Sequence, residues 1–127
     1  MENSKLIFGL RLAKLGWERS DCDVKVGAAY VRGGTSIVSC NKRKSTPAAR
    51  RCRYPYFDTT HAEFSLFNHV MLGEVPLGGT VYVYRELADG TLAMAKPCDS
   101  CLRMLTNLGV KSIVYTIDNH WFKEKLQ

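Results

Sequence analysis

The sequence predicts an α/β domain in which helices cover a sheet. Segments rich in β-branched residues alternate with segments of helical apolar spacing, and glycine or proline falls between them. No apolar run approaches the roughly 18–20 residues that a membrane span needs. The chain has 127 residues, 46% of them hydrophobic and 24% charged, which is ordinary for one globular domain. We therefore expect a single domain over residues 1–127.

The first part of the chain predicts a helix, a β-hairpin and a long loop. Ser4 to about Trp17 has helical spacing, Val24–Val31 alternates, and Gly33-Gly34 is typical of a turn into a second strand over Thr35–Cys40. Residues 41–60 have no apolar period, and loops of that length are usually functional or disordered. The apolar positions that share one face of the first helix are Leu6, Ile7, Leu10, Ala13 and Trp17.

The second part of the chain continues the alternation. Helical spacing covers 61–73, Thr80–Arg85 is strand-like, and Cys98–Leu108 is again helical with Gly109 as its stop. Lys111–Thr116 predicts a short apolar strand, and we expect the tail from Asp118 to form one more helix.

The cysteine content indicates a reducing compartment. Five cysteines are an odd number, and the first six residues show no basic segment or apolar core of an export signal. We therefore expect reduced cysteines, a cytoplasmic protein, and no contact with a membrane. Cys22, Cys40 and Cys52 are interpreted as packing thiols.

The net charge of +6 is concentrated in one stretch. Residues 32–60 contain one acid, Asp58, and the rest of the chain holds 11 basic and 11 acidic residues. A local anionic partner explains this distribution better than general solubility does. The basic residues of the stretch are Arg32, Lys42, Arg43, Lys44, Arg50, Arg51 and Arg53.

Two motifs suggest metal chemistry. His61-Ala62-Glu63 stands at the start of one predicted helix, and Pro97-Cys98-Asp99-Ser100-Cys101 stands at the start of another. A C-x-x-C in a first helical turn points both sulfurs the same way, and the helix N-terminus favours the thiolate form. With His61, the two sulfurs supply three ligands of the kind that zinc accepts and leave one position open, as in catalytic sites. Glu63 is then placed to exchange protons with a water on the metal.

Other interpretations of these residues stay open at this level. The cysteine pair alone is also compatible with a structural zinc or a redox dithiol, and Glu63 with an ordinary acid in a first helical turn. A zinc-ordered module that binds nucleic acid without turnover belongs to a different class of function. Such a module has no need of a carboxylate beside an open metal position, and a structural site more often shows a fourth Cys or His.

Together the two motifs resemble the zinc-dependent cytidine and deoxycytidylate deaminase superfamily, whose signature is H-x-E…P-C-x-x-C. Lys-Ser-Thr-Pro at 44–47 and Val-Tyr-Arg at 83–85 resemble phage and bacterial deoxycytidylate-deaminase-like proteins in particular, which implies the cytoplasm of a bacterium or of a phage-infected host. The resemblance implies a three-layer α/β/α domain with a mixed central sheet of about five strands. It also implies zinc as cofactor and hydrolytic release of ammonia.

The resemblance assigns roles to individual residues. It makes His61, Cys98 and Cys101 the zinc ligands and Glu63 the residue that moves protons while zinc-bound hydroxide attacks C4 of cytosine. The backbone at Ala62 would contact the edge of the base. Asn41, which follows the second predicted strand, would hydrogen-bond the sugar.

The substrate is predicted from the charge and from the resemblance together. Lys42, Arg43 and Lys44 could bind one phosphate, and the resemblance to the deoxycytidylate group, together with the shortness of the chain, favours deamination of a dCMP-type nucleotide to dUMP. The whole basic loop at 42–53 would suit single-stranded nucleic acid instead, with cytosine in DNA or RNA, or adenosine in tRNA, as the target. We also expect the chain to form a homo-oligomer, which would let the loop of one subunit serve the site of another.

Overall fold

The computed structural model describes residues 2–22, 24–41, 66 and 78–126. Within these residues lie two helices and five strands. No helix in the described ranges is both long and apolar enough to cross a membrane. The elements, in chain order, are α1 (Glu2–Arg19), β1 (Gly27–Arg32), β2 (Thr35–Cys40), β3 (Thr80–Tyr84), α2 (Asp99–Asn107), β4 (Ser112–Ile117) and β5 (His120–Lys125).

The five strands form one mixed sheet in the order β2-β1-β3-β4-β5. Only β3 and β4 are parallel, and α2 connects them as the crossover helix. The other neighbouring pairs are antiparallel. The mixed sheet of about five strands is thus confirmed, and the hairpin predicted at Gly33-Gly34 joins β1 to β2 as expected.

Each face of the sheet carries its own apolar cluster, because successive strand residues point to opposite sides. On one face, Ala29, Tyr82 and Val114 meet α1 through Ala13. The opposite face holds Val83 and a cluster that includes Leu66 and the buried side of α2. This arrangement of helix, sheet and helix confirms the predicted layers. Of the predicted loop at 41–60 the structure describes only Asn41, and of the predicted helix at 61–73 only Leu66; the other residues of both segments lie outside the described ranges.

The two ends of the sheet can be distinguished by register. Cys40 of β2 pairs with Gly27, and Gly27 pairs in turn with Tyr84, the last residue of β3. We call this the carboxyl end, after the parallel strands β3 and β4. At the other end, which we call the amino end, Thr80 pairs with Ser112.

The prediction of a final helix after Asp118 was wrong, since this segment is β5. Asp118 and Asn119 have positive φ angles of 44° and 64°, the conformation of a two-residue type I′ hairpin turn. Ile117 and His120 pair across that turn, so the chain reverses and continues beside β4. Turn chemistry decides the outcome here, because two short polar residues accept the left-handed backbone that the reversal requires.

Two smaller expectations also need correction. Ile7, placed on the buried face of the first helix, is 49% exposed, and buried Gly9 faces the sheet instead, against the ring of Tyr82. The strand expected from Val24 begins only at Gly27. There, α1 approaches β1 so closely that a Cβ on Gly27 would overlap the backbone of Ala13 and Trp17.

Candidate metal centre and active site

Cys98 and Cys101 lie together at the start of α2. Cys98 is the N-cap residue and its side chain makes no capping hydrogen bond, so its sulfur is not used to close the helix. The two Sγ atoms are 3.6 Å apart. The first helical turn therefore brings both sulfurs to one point, as the C-x-x-C spacing predicted.

The local sequence explains why a helix starts here. Asp99 in the first turn complements the positive helix N-terminus, and Gly109, at a φ of 84°, ends the helix. Its inward face consists of Cys101, Met104 and Leu105, all buried in the core cluster. Packing on this face fixes the rotation of α2 and with it the direction of the Cys101 side chain.

The cysteine pair lies at the carboxyl end of the sheet. The end of α2 leads through Gly109 directly into the amino end of β4. A helix of nine residues is about 13 Å long, so its start reaches the opposite end of the strands. In α/β proteins with parallel strands, ligands bind outside that end of the sheet.

The described residues fit a zinc ion. Two thiolates at about 2.3 Å from one tetrahedral zinc lie roughly 3.8 Å apart, close to the observed 3.6 Å. Cys101 is fully buried while Cys98 is half-buried, so the pair lies at the boundary between core and surface. A buried thiolate is costly without a positive partner, and a bound metal cation supplies one.

Several predicted site residues lie outside the described ranges. These are the third predicted ligand His61, the proton-transfer residue Glu63, the base contact at Ala62 and the cations at 42–44. Consistent with this, the described residues alone contain no group of three or more metal-ligating side chains. The assignment of these residues stays a prediction.

Asn41 follows β2 at the carboxyl end, the same end as the cysteine pair. Its side chain is hydrogen-bonded to other residues of the chain. Its Oδ1 accepts hydrogen bonds from the Ser20 hydroxyl at 2.5 Å and from the Val26 amide at 2.9 Å. Its Nδ2 donates to the Val24 carbonyl at 2.7 Å. The side chain thereby holds the connection between α1 and β1. Nδ2 carries a second amide hydrogen, and the predicted sugar contact would depend on it.

Ser20 is the residue of this region that sequence reasoning missed. It is 6% exposed, and its hydroxyl oxygen also accepts a hydrogen bond from the Cys22 amide. A serine just beyond a predicted helix gives no sequence signal of a partner 21 residues away. The contact arises because α1 packs on β1 and β2, which brings the end of the helix beside the end of β2.

The Asn41 network predicts a stability defect. Asn41→Ala removes three side-chain hydrogen bonds and leaves the buried Ser20 hydroxyl only the main-chain carbonyl of residue 41 as acceptor, so we expect the free energy of unfolding to fall by roughly 2 kcal/mol. Urea unfolding of Ser20→Ala, Asn41→Ala and the double variant measures the coupling between the two. Thr35→Ala, at an exposed site on the same hairpin, is the control. Unchanged stability of Asn41→Ala would contradict the structural role, leaving the sugar contact as its explanation.

Comparison with known proteins identifies the family of the chain. The family model of the cytidine and deoxycytidylate deaminase zinc-binding region matches residues 4–117. The chain therefore belongs to this family. It is a zinc-dependent deaminase, and zinc is its cofactor. A search of curated protein sequences gave no match.

Two solved structures share the fold. The cytidine deaminase from Burkholderia pseudomallei has a TM-score of 0.66 and 21% identity, covering 94% of this chain and 91% of that one. The apo dCMP deaminase from the cyanophage S-TIM5 has a TM-score of 0.65 and 24% identity, covering 91% of this chain and 84% of that one. These likenesses confirm the predicted deaminase-like α/β fold.

Proposed function

We propose that the protein deaminates a cytosine nucleotide of the dCMP type, giving a uracil nucleotide and ammonia. The observation that carries the proposal is the position of Cys98 and Cys101, whose sulfurs meet 3.6 Å apart at a helix N-terminus. In a member of a zinc-dependent deaminase family, this pair supplies half of a tetrahedral metal site. His61 is proposed as the third ligand.

The proposed chemistry is a hydrolytic substitution at C4. Zinc, when bound, lowers the pKa of a bound water toward about 7 and so supplies hydroxide at neutral pH. Glu63 accepts a proton from the attacking water and delivers it to N3 of the base. The oxygen of that water bonds to C4, its second proton passes through Glu63 to the exocyclic amine, and the C4–N bond breaks, so that ammonia leaves and a C4 carbonyl remains. The backbone at Ala62 holds the edge of the base during these steps.

The nucleotide class is proposed from charge. Lys42, Arg43 and Lys44 directly follow Asn41 in the chain, and Asn41 lies at the carboxyl end of the sheet with the cysteine pair. Cations that follow Asn41 so closely in sequence are suited to a substrate phosphate. A free nucleoside has no phosphate for these cations to bind. A polynucleotide would use more of the basic residues between 42 and 53, and this is the second candidate substrate.

Ammonia release from zinc-loaded protein tests the proposal. The substrates are dCMP, deoxycytidine and a cytosine-containing single-stranded oligonucleotide, each at low and high salt. We expect turnover of dCMP with a mild salt dependence and much weaker turnover of deoxycytidine, because the nucleoside lacks the phosphate. Turnover of the oligonucleotide alone, falling steeply with salt, would replace the nucleotide by a polynucleotide substrate. Absence of turnover on all three would contradict a cytosine substrate.

A further inference from the structure

A second polar groove lies at the amino end of the sheet, away from the cysteine pair. Its volume is about 440 Å³, and its floor is formed by Gly79, Thr80 and Ser112. Lys111, Lys123 and Lys125 line it as well. Thr80 and Ser112 are the first residues of the parallel strands, whereas α2 and its cysteines begin at the other end. The groove is therefore separate from the proposed catalytic centre.

The groove is positive because β5 directs its charges to different faces. Lys123 and Lys125 pair with Val114 and Ser112, so they lie on the face of the sheet that α1 also covers. Glu124 points to the opposite face, where its carboxylate accepts a hydrogen bond from Tyr115 at 2.6 Å and pairs with Lys96 at 3.4 Å. Among the residues that the structure describes, none of the groove lysines forms an ion pair with a carboxylate.

The floor of the groove is held in place before any ligand binds. The Thr80 and Ser112 hydroxyls lie 2.9 Å apart, so one donates to the other and the second hydroxyl retains its hydrogen for a ligand. The buried Tyr30 hydroxyl donates to the carbonyl of Gly78 at 2.9 Å and fixes the turn that enters β3. Fixed hydroxyl donors beside several ammonium groups are suited to phosphate oxygens.

The positive surface extends beyond this groove on both sides. A neighbouring groove of about 470 Å³ shares Gly79, Thr80 and Lys111 and adds Arg32 and the exposed ring of Phe8. Farther along β5, Trp121 lies on the same face as Lys123 and is 45% exposed. A run of cations with exposed aromatic rings is the pattern by which proteins hold successive phosphates and stack bases.

We propose that this amino-end groove binds phosphate groups of a ligand that carries several of them. Three lysines and a hydroxyl donor exceed what a single phosphate monoester requires, so the ligand is a polyphosphate or the backbone of a single-stranded nucleic acid. Both sources share the same chemistry. Because the groove is remote from Cys98 and Cys101, it binds without taking part in deamination.

Binding measurements on zinc-loaded protein test the groove. The probes are a fluorescent thymidine-only oligonucleotide, which contains no cytosine, and inorganic triphosphate. Lys123→Gln/Lys125→Gln should weaken oligonucleotide binding at least about tenfold. It should also reduce the slope of log affinity against log salt by about 1.4, or about 0.7 for each lost cation. Residual binding is expected from the basic residues at 42–53.

Matched variants make the result decisive. Lys14→Gln/Arg103→Gln removes the same charge from exposed positions on the two helices, and Lys123→Arg/Lys125→Arg keeps the charge in the groove. We expect near-normal affinity from both. Loss of triphosphate binding alone in the groove variant would assign the site to free polyphosphates. Equal weakening by the helix variant, or no effect of the groove variant on either probe, would overturn the proposal.

Discussion

Cys101→Ser will lower zinc affinity by more than about 100-fold and reduce ammonia release to background. Removal of an outer-shell partner of a ligand already costs 10–100-fold, and here a ligand itself is lost. The Cys101 sulfur is fully buried, 3.6 Å from that of Cys98, so a serine hydroxyl cannot move elsewhere to compensate. Zinc content after dialysis, competition with a chromogenic chelator and thermal unfolding measure the effect. We expect the melting temperature to fall as well, because metal binding contributes to folding.

Cys40→Ser separates loss of the metal from loss of packing. Cys40 is also buried, at 7% exposure, but it ends β2 and lies outside the C-x-x-C pair. This variant should be destabilised while keeping one zinc per chain and its turnover. If Cys101→Ser retained zinc with unchanged affinity, the cysteine pair would not be the metal site.

Glu63→Gln is expected to lower turnover by about 10²–10⁴-fold without loss of zinc, because it removes a proton-transfer group and no ligand. Glu63→Ala should behave alike. In Glu63→Gln, the side-chain amide has nearly the shape of the carboxylate but cannot accept the proton of the attacking water. Initial rates with dCMP, together with zinc content and the thermal unfolding curve, separate catalysis from folding.

Glu18→Gln is the matched control, since it makes the same charge change at an exposed position of α1. It should leave turnover unaltered. Full activity of Glu63→Gln with full zinc content would remove Glu63 from the mechanism and direct attention to another acid.

Much of the fold follows from local sequence signals. β2 has the predicted limits, and α2 differs from its prediction by one residue at each end, because its start and its glycine stop are both encoded locally. The segment that forms β5 was wrongly predicted to be a helix. Its strand conformation depends on a turn at Asp118-Asn119 and on pairing with β4. An edge strand with few buried side chains shows little of the apolar alternation by which strands are identified.

The cysteine pair and the amino-end groove also differ in whether local sequence predicts them. The cysteine pair was predictable because three residues of helix suffice to bring its sulfurs together. The amino-end groove was not, since one of its lysines precedes β4, the other two lie on β5, and their charge is offset by acids when residues are merely counted. Only the strand register shows that the acid at Glu124 points away from them.

The two-residue turn between β4 and β5 also determines which side of the molecule is cationic. Side chains alternate along β5, so a one-residue shift in its pairing with β4, such as an insertion directly after an unchanged two-residue turn would cause, would exchange the two faces of that strand. Phe122 and Glu124 would then occupy the side that now carries Lys123 and Lys125. The face of this edge that carries the positive charge is thus determined by whether the register is shifted by an even or an odd number of residues. A single insertion can move that charge to the other face without removing any residue of the strand.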